Sequence, residues 1–252
     1  MNILAPLRDK LVLSAAGANF MTGLVGNVSI PTYDGSTVGW AGEVDAAADG
    51  AGTFGEVELS PKRLTAYVDI SKQFLIQDSV SAEALLRKDI VDAISNKLEA
   101  TILGAEAGST TKPAGLFNAV VADEADITYK DIVAMEQKLE EANVSGNITF
   151  IASPYAKAIL KTTAIGGTKS DVRMLMDSGE VDGYPVLVTN GMAKKGLILG
   201  NFNDLVIGQW GGIDLTVDPY TQAANGKIRL VVNAYFDAKP QRAASFVKKV
   251  LK

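Results

Sequence analysis

Residues 27–61 read NVSIPTYDGSTVGWAGEVDAAADGAGTFGEVELSP, a stretch with no lysine or arginine. Its carboxylates are Asp34, Glu43, Asp45, Asp49, Glu56 and Glu58. Two alternating apolar runs, near Val28–Tyr33 and Phe54–Leu59, bracket a tip rich in glycine and alanine. This is the pattern of a long two-stranded excursion with a flexible end. A two-stranded ribbon alone is marginally stable in water, so one of this length needs a surface to lie on. Its charge of one sign suggests a different surface from its own base, such as another copy of the chain. The protein therefore reads as an assembly subunit before it reads as an enzyme.

Composition supports a globular chain. Its 252 residues suit one large domain or two intimate ones, and 47% apolar residues can fill a sizeable core. Charged residues make up 21%, near the globular average. No apolar run is long enough to span a bilayer. Near the N-terminus, Arg8 and Lys10 precede only three apolar residues, so this is not the pattern of a secretory signal. Cysteine and histidine are both absent. That excludes disulfides, thiolate nucleophiles, zinc-thiolate sites, a Ser-His-Asp triad and an imidazole base. The net charge of −5 argues against a sequence-specific DNA binder, which carries a basic face. It is compatible with a container wall that must not adhere to a polyanionic cargo.

Outward from the ribbon, residues 1–26 form an arm with a short helical turn near Arg8–Leu13. Arg63–Ser71 alternates and predicts a strand. Ser81–Leu103 predicts a long helix with Leu86, Ile90, Ile94, Leu98 and Ile102 on its core face. Arg87, Lys88, Asp89, Asp92, Lys97 and Glu99 take the other sides, and Gly104 is the stop. Thr128 and Asp131 mark the start of a helix over Tyr129–Ala142. A strand over Asn147–Ala152 leads to Ser153-Pro154, a cap followed by proline at the first helical position. Short strands follow at Tyr184–Thr189, Gly196–Leu199, Asp204–Gln209, Ile213–Val217, Lys227–Tyr235 and Ala244–Val250. Asn190-Gly191, Gly211-Gly212 and Asn225-Gly226 punctuate them as turns. Helices lead and antiparallel strands follow, so the class is α+β.

Candidate chemistry is sparse. Gly50-Ala-Gly52-Thr-Phe-Gly55 matches the dinucleotide fingerprint in letters, but a strand-like segment follows where a helix must hold the pyrophosphate. It reads instead as a flexible ribbon tip. Glu43 with Asp45, and Asp214 with Asp218, are carboxylate pairs without the cage a hard cation needs. Ser71-Lys72 and Lys169-Ser170 place a lysine beside a hydroxyl, which rarely gives a working dyad. Trp40 and Trp210 both lie beside glycines. Either fits an interface anchor or a core residue, and Trp40 is the candidate anchor.

In this order of parts the chain resembles the major capsid proteins of tailed double-stranded DNA bacteriophages, with their Hong-Kong-97-like fold. The residues that carry the resemblance begin with Val25-Gly-Asn27, Ile30-Pro31 and Trp40-x-x-Glu43. Phe54-Gly-Glu-Val-Glu-Leu-Ser-Pro-Lys-Arg-Leu64 and Val68-Asp-Ile-Ser-Lys-Gln73 follow. Pro113-Ala-Gly-Leu116, Gly183-Tyr-Pro-Val186, Leu199-Gly-Asn-Phe202 and Asp237-Ala-Lys-Pro240 complete the series. The resemblance implies an N-terminal arm (1–26), an extended E-loop hairpin (27–61) and a peripheral domain (62–112) whose spine helix spans 81–103. It implies an axial domain (113–225), a strand returning to the peripheral domain (226–240) and a C-terminal strand (241–252). The implied function is a structural one, self-assembly through pentamers and hexamers into an icosahedral shell enclosing the genome. The implied location is the virion capsid, assembled in the bacterial host cytoplasm. Scaffold, portal and decoration proteins are the implied partners. DNA is enclosed without sequence-specific binding, and neither a membrane, a cofactor nor an enzymatic activity is implied.

Two departures from the family bear on mechanism. Many relatives carry an N-terminal scaffolding region, whereas here Met1 stands directly before the arm; the expectation is that such a region was either removed or never encoded. The founding member joins an E-loop lysine to a neighbour's asparagine. This E-loop has no lysine, and Lys62 lies only at its base, so no such isopeptide bond is expected. The residues themselves suggest a complement: the E-loop acids would face basic groups of an adjacent subunit, with Lys62, Arg63, Arg87, Lys88 and Lys97 as candidates. Two alternatives remain at this point, an encapsulin-type cellular compartment sharing the fold and a carboxylate-dependent metal hydrolase.

Overall fold

The computed structural model describes residues 11–44, 46–73, 79–118, 120–121, 125–166 and 173–252, without the side chains of 79–85 and 87. Asp45 and the side chain of Arg87 thus lie outside the described residues. Secondary structure begins with α1 (Val12–Ala15), β1 (Asn19–Met21), the ribbon strands β2 (Val28–Tyr33) and β3 (Phe54–Leu59), and β4 (Lys62–Ser71). Helix α2 (Ser79–Ile102), helix α3 (Tyr129–Glu141), β5 (Ile148–Ala152) and helix α4 (Pro154–Thr162) follow. The last part holds β6 (Glu180–Val181), β7 (Tyr184–Val188), β8 (Gly196–Asn201), β9 (Leu205–Asp218), β10 (Lys227–Pro240) and β11 (Phe246–Val250). No helix among the described residues is long and apolar enough to cross a membrane.

The strands form two sheets and a separate ribbon. One sheet has the order β1-β9-β10-β4, the other β11-β8-β5-β7-β6, and β2 pairs only with β3. Pairing is mixed, because β1 runs parallel to β9 and β5 parallel to β7. This corrects the all-antiparallel expectation. The β5–β7 connection passes through helix α4, as a parallel crossover requires.

The core sits on both faces of the five-stranded sheet. On one face, Ile90, Ile94, Leu98 and Ile102 of α2 pack with Ile151, Ile198, Phe202 and Phe246, joined by Leu11, Leu13 and Ala16 of the arm. On the other, Ile132, Met135 and Leu139 of α3 pack with Phe150, Leu197 and Leu199. The stripe read on α2 is therefore core. Glu99, assigned to the solvent side, is 6% exposed. Its carboxylate accepts the Val12 amide at 3.1 Å and the Thr189 hydroxyl, so it joins the arm, α2 and the turn after β7. Helix starts follow their signals: Asp131 accepts the Thr128 amide at 2.7 Å, and Ser153 Oγ accepts the Ala156 amide at 3.1 Å.

Two local readings change. The helical turn lies at Val12–Ala15 rather than Arg8–Leu13, of which 8–10 are outside the described residues. Gly211-Gly212 does not turn the chain, and the two strands expected around it are one, β9. Gly211 adopts a φ of +65° inside a bulge, where register with β10 shifts between Asn233 and Tyr235. A glycine in this conformation lets a long strand bend without breaking. Strand β10 correspondingly runs on to Pro240.

Candidate assembly interface

The ribbon forms by period-two alternation, and its register pairs Val28 with Leu59 through to Tyr33 with Phe54. Its base is anchored in the body. Leu59 is fully buried against Val206 and Trp210, with Leu24, Val28 and Ile30 around them. The Trp210 indole donates to the Gly26 carbonyl at 2.5 Å. Where the chain leaves the ribbon, Asp237 of β10 accepts the Ser60 amide at 3.0 Å and pairs with Lys62 at 2.6 Å.

Beyond the base the ribbon stands off the body. A cleft of about 890 Å³ opens between Pro31–Gly35 and the turns at Asn143–Ser145 and Gln241–Ala244. The tip has internal order. Tyr33 stacks on Phe54 with ring centres 4.6 Å apart, and its hydroxyl accepts the Gly52 amide at 2.9 Å. Hydrogen bonds from Ser36 and from that amide hold the Tyr33 pKa below its usual value. A Cβ at Gly50 or Gly52 would lie 2.0 Å from the carbonyl oxygens of Thr37 or Gly35. These glycines therefore allow two backbones to approach, in addition to loosening the tip. Strand β3, with no helix, follows them, so they build no phosphate cradle.

The E-loop acids divide into tied and outward groups. Asp34 accepts the Thr53 hydroxyl at 2.7 Å, Asp49 the Ala51 amide at 3.0 Å and Glu56 the Ser29 hydroxyl at 2.8 Å, all within the ribbon. Glu43 and Glu58 are exposed. Of the basic candidates, Arg63, Lys88 and Lys97 are exposed. Lys62 is different: its side chain is only 10% exposed and its amine is committed to Asp237 of the same chain. The structure separates the tryptophans. Trp210 is buried, whereas Trp40 is fully exposed, together with Val38, Val44 and Phe54. Trp40 is the anchor candidate of the sequence; the exposure of Val38, Val44 and Phe54 beside it was not legible there, because each is flanked by glycine or acid. Asp237 and Glu99 were also missed, since their partners lie far away in sequence.

Of the remaining carboxylate pairs, Asp218 caps its own turn, accepting from the Tyr220 amide at 2.8 Å and the Thr221 amide at 3.1 Å. The hydrogen bonds of Thr221 and Tyr220 hold its pKa low. Asp214 lies four residues back on the same strand. Among the described residues no cluster of three acidic side chains forms a metal-binding group.

The chain is 28% identical over 249 residues to the major capsid protein of Halomonas phage phiHAP-1, covering 95% of this chain and 40% of that protein. It is 25% identical over 228 residues to the major capsid protein of Klebsiella oxytoca phage phiKO2, covering 82% and 53%. The chain thus spans about half, or less, of the length of these curated relatives. Its structure superposes on the capsid of a native GTA particle computed with C5 symmetry, with a TM-score of 0.73, 17% identity and coverage of 93% and 87%. A chain from Microbacterium phage Oxtober96 gives a TM-score of 0.74, at 12% identity and coverage of 96% and 91%. The fold is the Hong-Kong-97-like capsid fold. With the phage capsid family model matching residues 1–251, the chain belongs to the phage capsid family.

Proposed function

We propose that the chain is a major capsid protein. It self-assembles through pentamers and hexamers into an icosahedral shell enclosing double-stranded DNA, with no enzymatic step of its own. In this reading residues 27–61 are the E-loop, α2 is the spine helix, the β1-β9-β10-β4 sheet belongs to the peripheral domain and the five-stranded sheet to the axial domain. The observation that carries it is the ribbon. It is fixed at its base by Leu59 and Trp210 and leaves Val38, Trp40, Val44 and Phe54 exposed at its far end. An exposed apolar group on an arm anchored at its base fits burial against a neighbouring subunit.

Electrostatics supplies the register in the same reading. Glu43 and Glu58 face Arg63, Lys88 or Lys97 of a neighbour, while Lys62 serves its own chain through Asp237. Single exposed pairs contribute little, but repetition around a shell makes assembly sensitive to salt. Electron microscopy with light scattering on the purified protein tests the reading. Closed polyhedral particles, or rings of five and six, are expected. A monomer that persists across salt and protein concentration would overturn it. Charge reversal at Glu58 that leaves the salt dependence of assembly unchanged would remove the electrostatic part alone.

A further inference from the structure

A recess of about 250 Å³ lies where the start of β4, the C-terminal half of α2 and the loop over 106–113 meet. Leu64, Leu98, Pro113 and Phe236 form its apolar wall, and Leu98 and Phe236 are each 3% exposed. Its charged lining is Lys62, Arg63, Lys97 and Lys112, with Glu106 as the carboxylate among them. The walls are fixed. Strand β4 is held along its length by its ladder with β10. Across the loop Lys112 pairs with Glu106, the Ser109 amide donates to the Lys112 carbonyl at 2.9 Å, and the Gly115 amide donates to the Glu106 carbonyl at 2.9 Å.

In a chain of net charge −5 this lining concentrates positive charge. Asp237 answers Lys62 at 2.6 Å and Glu106 answers Lys112, so the excess of the lining resides on Arg63 and Lys97, which are exposed. The hydrogen bond and charge of Lys112 hold the Glu106 pKa below its usual value, and the charge of Lys97 adds to that effect. The Lys97 ammonium is therefore within electrostatic reach of the same recess. A recess lined by one sign of charge over apolar walls focuses its field outward. The forked guanidinium of Arg63 and the point charge of Lys97 arrive from two different elements, which suits an oxyanion with several acceptor oxygens. Set against about 30 Å³ for a water in the liquid, the volume holds a phosphate with part of its hydration.

We propose that this recess binds a phosphate group, held by Arg63 and Lys97. Two sources offer that chemistry, free inorganic phosphate and the backbone of double-stranded DNA. The recess is complete within one chain, so the binding goes beyond the shell reading and does not depend on shells forming. Arg63 and Lys97 are also cations offered to a neighbour's ribbon, so a bound phosphate competes with Glu43 and Glu58 for them.

Inorganic phosphate titrated into the purified full chain at constant ionic strength, followed by phosphorus NMR, tests this. Saturable broadening of the phosphate signal is expected. Arg63→Gln and Lys97→Gln should each weaken binding about tenfold, the loss of one charge-assisted hydrogen bond. Lys227→Gln, at an exposed lysine beside the far end of β4, should leave binding unchanged. Arg63 and Lys97 are exposed, so melting curves without phosphate should match wild type and show that both variants fold. A short DNA duplex that displaces phosphate from the wild type would assign the backbone as the source, and one that does not would assign free phosphate; either supports the recess. A response to phosphate that never saturates, or saturable binding that both variants retain, would overturn the proposal and leave the shell reading standing. Saturable binding by a chain that forms no rings or shells would uphold the recess and count against the shell reading alone.

Discussion

Lys62 Nζ lies 2.6 Å from Asp237 Oδ2, with the two side chains 10% and 1% exposed. The pair joins the exit of the ribbon to β10, and the same carboxylate accepts the Ser60 amide at 3.0 Å. Removing one partner of a shielded pair strands the other charge, so Asp237→Ala should cost about 3–5 kcal/mol in unfolding free energy. Asp237→Asn should cost less, because its carbonyl can still accept from Ser60. Chemical denaturation at neutral pH measures both. A loss below about 1 kcal/mol for Asp237→Ala would mean that the pair behaves as a surface one.

The same geometry removes Lys62 from cross-linking chemistry. An amine engaged by a carboxylate of its own chain and only 10% exposed is not presented to a neighbour, and residues 27–61 contain no lysine. Assembled particles dissolved in hot detergent should therefore release single chains, checked by intact mass. Covalent dimers or higher ladders from the wild type would contradict this, and mapping the bond would identify the lysine.

The two tryptophans should respond oppositely to truncation. Trp40 is fully exposed, so Trp40→Ala should leave monomer stability within about 0.5 kcal/mol of wild type while weakening assembly. Trp210 is buried against Leu59 and Val206, and Trp210→Ala should cost about 3–5 kcal/mol. Melting curves measure the first effect and light scattering the second. Normal assembly of Trp40→Ala would remove Trp40 from the interface.

Much of the scaffold was legible because its signals are local. Val28–Tyr33 and Phe54–Leu59 alternate with period two and became β2 and β3 with those bounds. Thr128 with Asp131, and Ser153 with Pro154, mark helix starts within a few residues of themselves. What could not be read depends on distant chain. Glu99 follows the polar pattern of α2, but the Val12 amide and the Thr189 hydroxyl arrive from elsewhere and enclose it. Lys62 looks like a solvent-facing cation until β10 brings Asp237 beside it. Gly211-Gly212 has the composition of a turn, yet the partner strand β10 continues past it and makes it a bulge. Only the tertiary arrangement decides between Trp40 as free and Trp210 as core.

The alkaline limb of stability should carry the mark of Tyr184. Its hydroxyl donates to Glu136 at 2.7 Å, joining β7 to α3, and this bond, with burial and the nearby carboxylate charge, pushes its pKa up to about 12. An unfolded tyrosine ionises near 10. Below that value both states hold the proton and the contribution is fully present. As pH rises from about 10 toward about 12, the unfolded chain loses its tyrosine proton first, and the contribution is lost through the folded value. Tyr184→Phe removes the titration. It should lower stability by about 1 kcal/mol at neutral pH through the lost hydrogen bond, and the difference from wild type should shrink above pH of about 10. Urea midpoints across this range, for wild type and variant side by side, read the effect. Curves that stay parallel to the top of the range would show that Tyr184 titrates as an ordinary tyrosine and that Glu136 does not hold its proton.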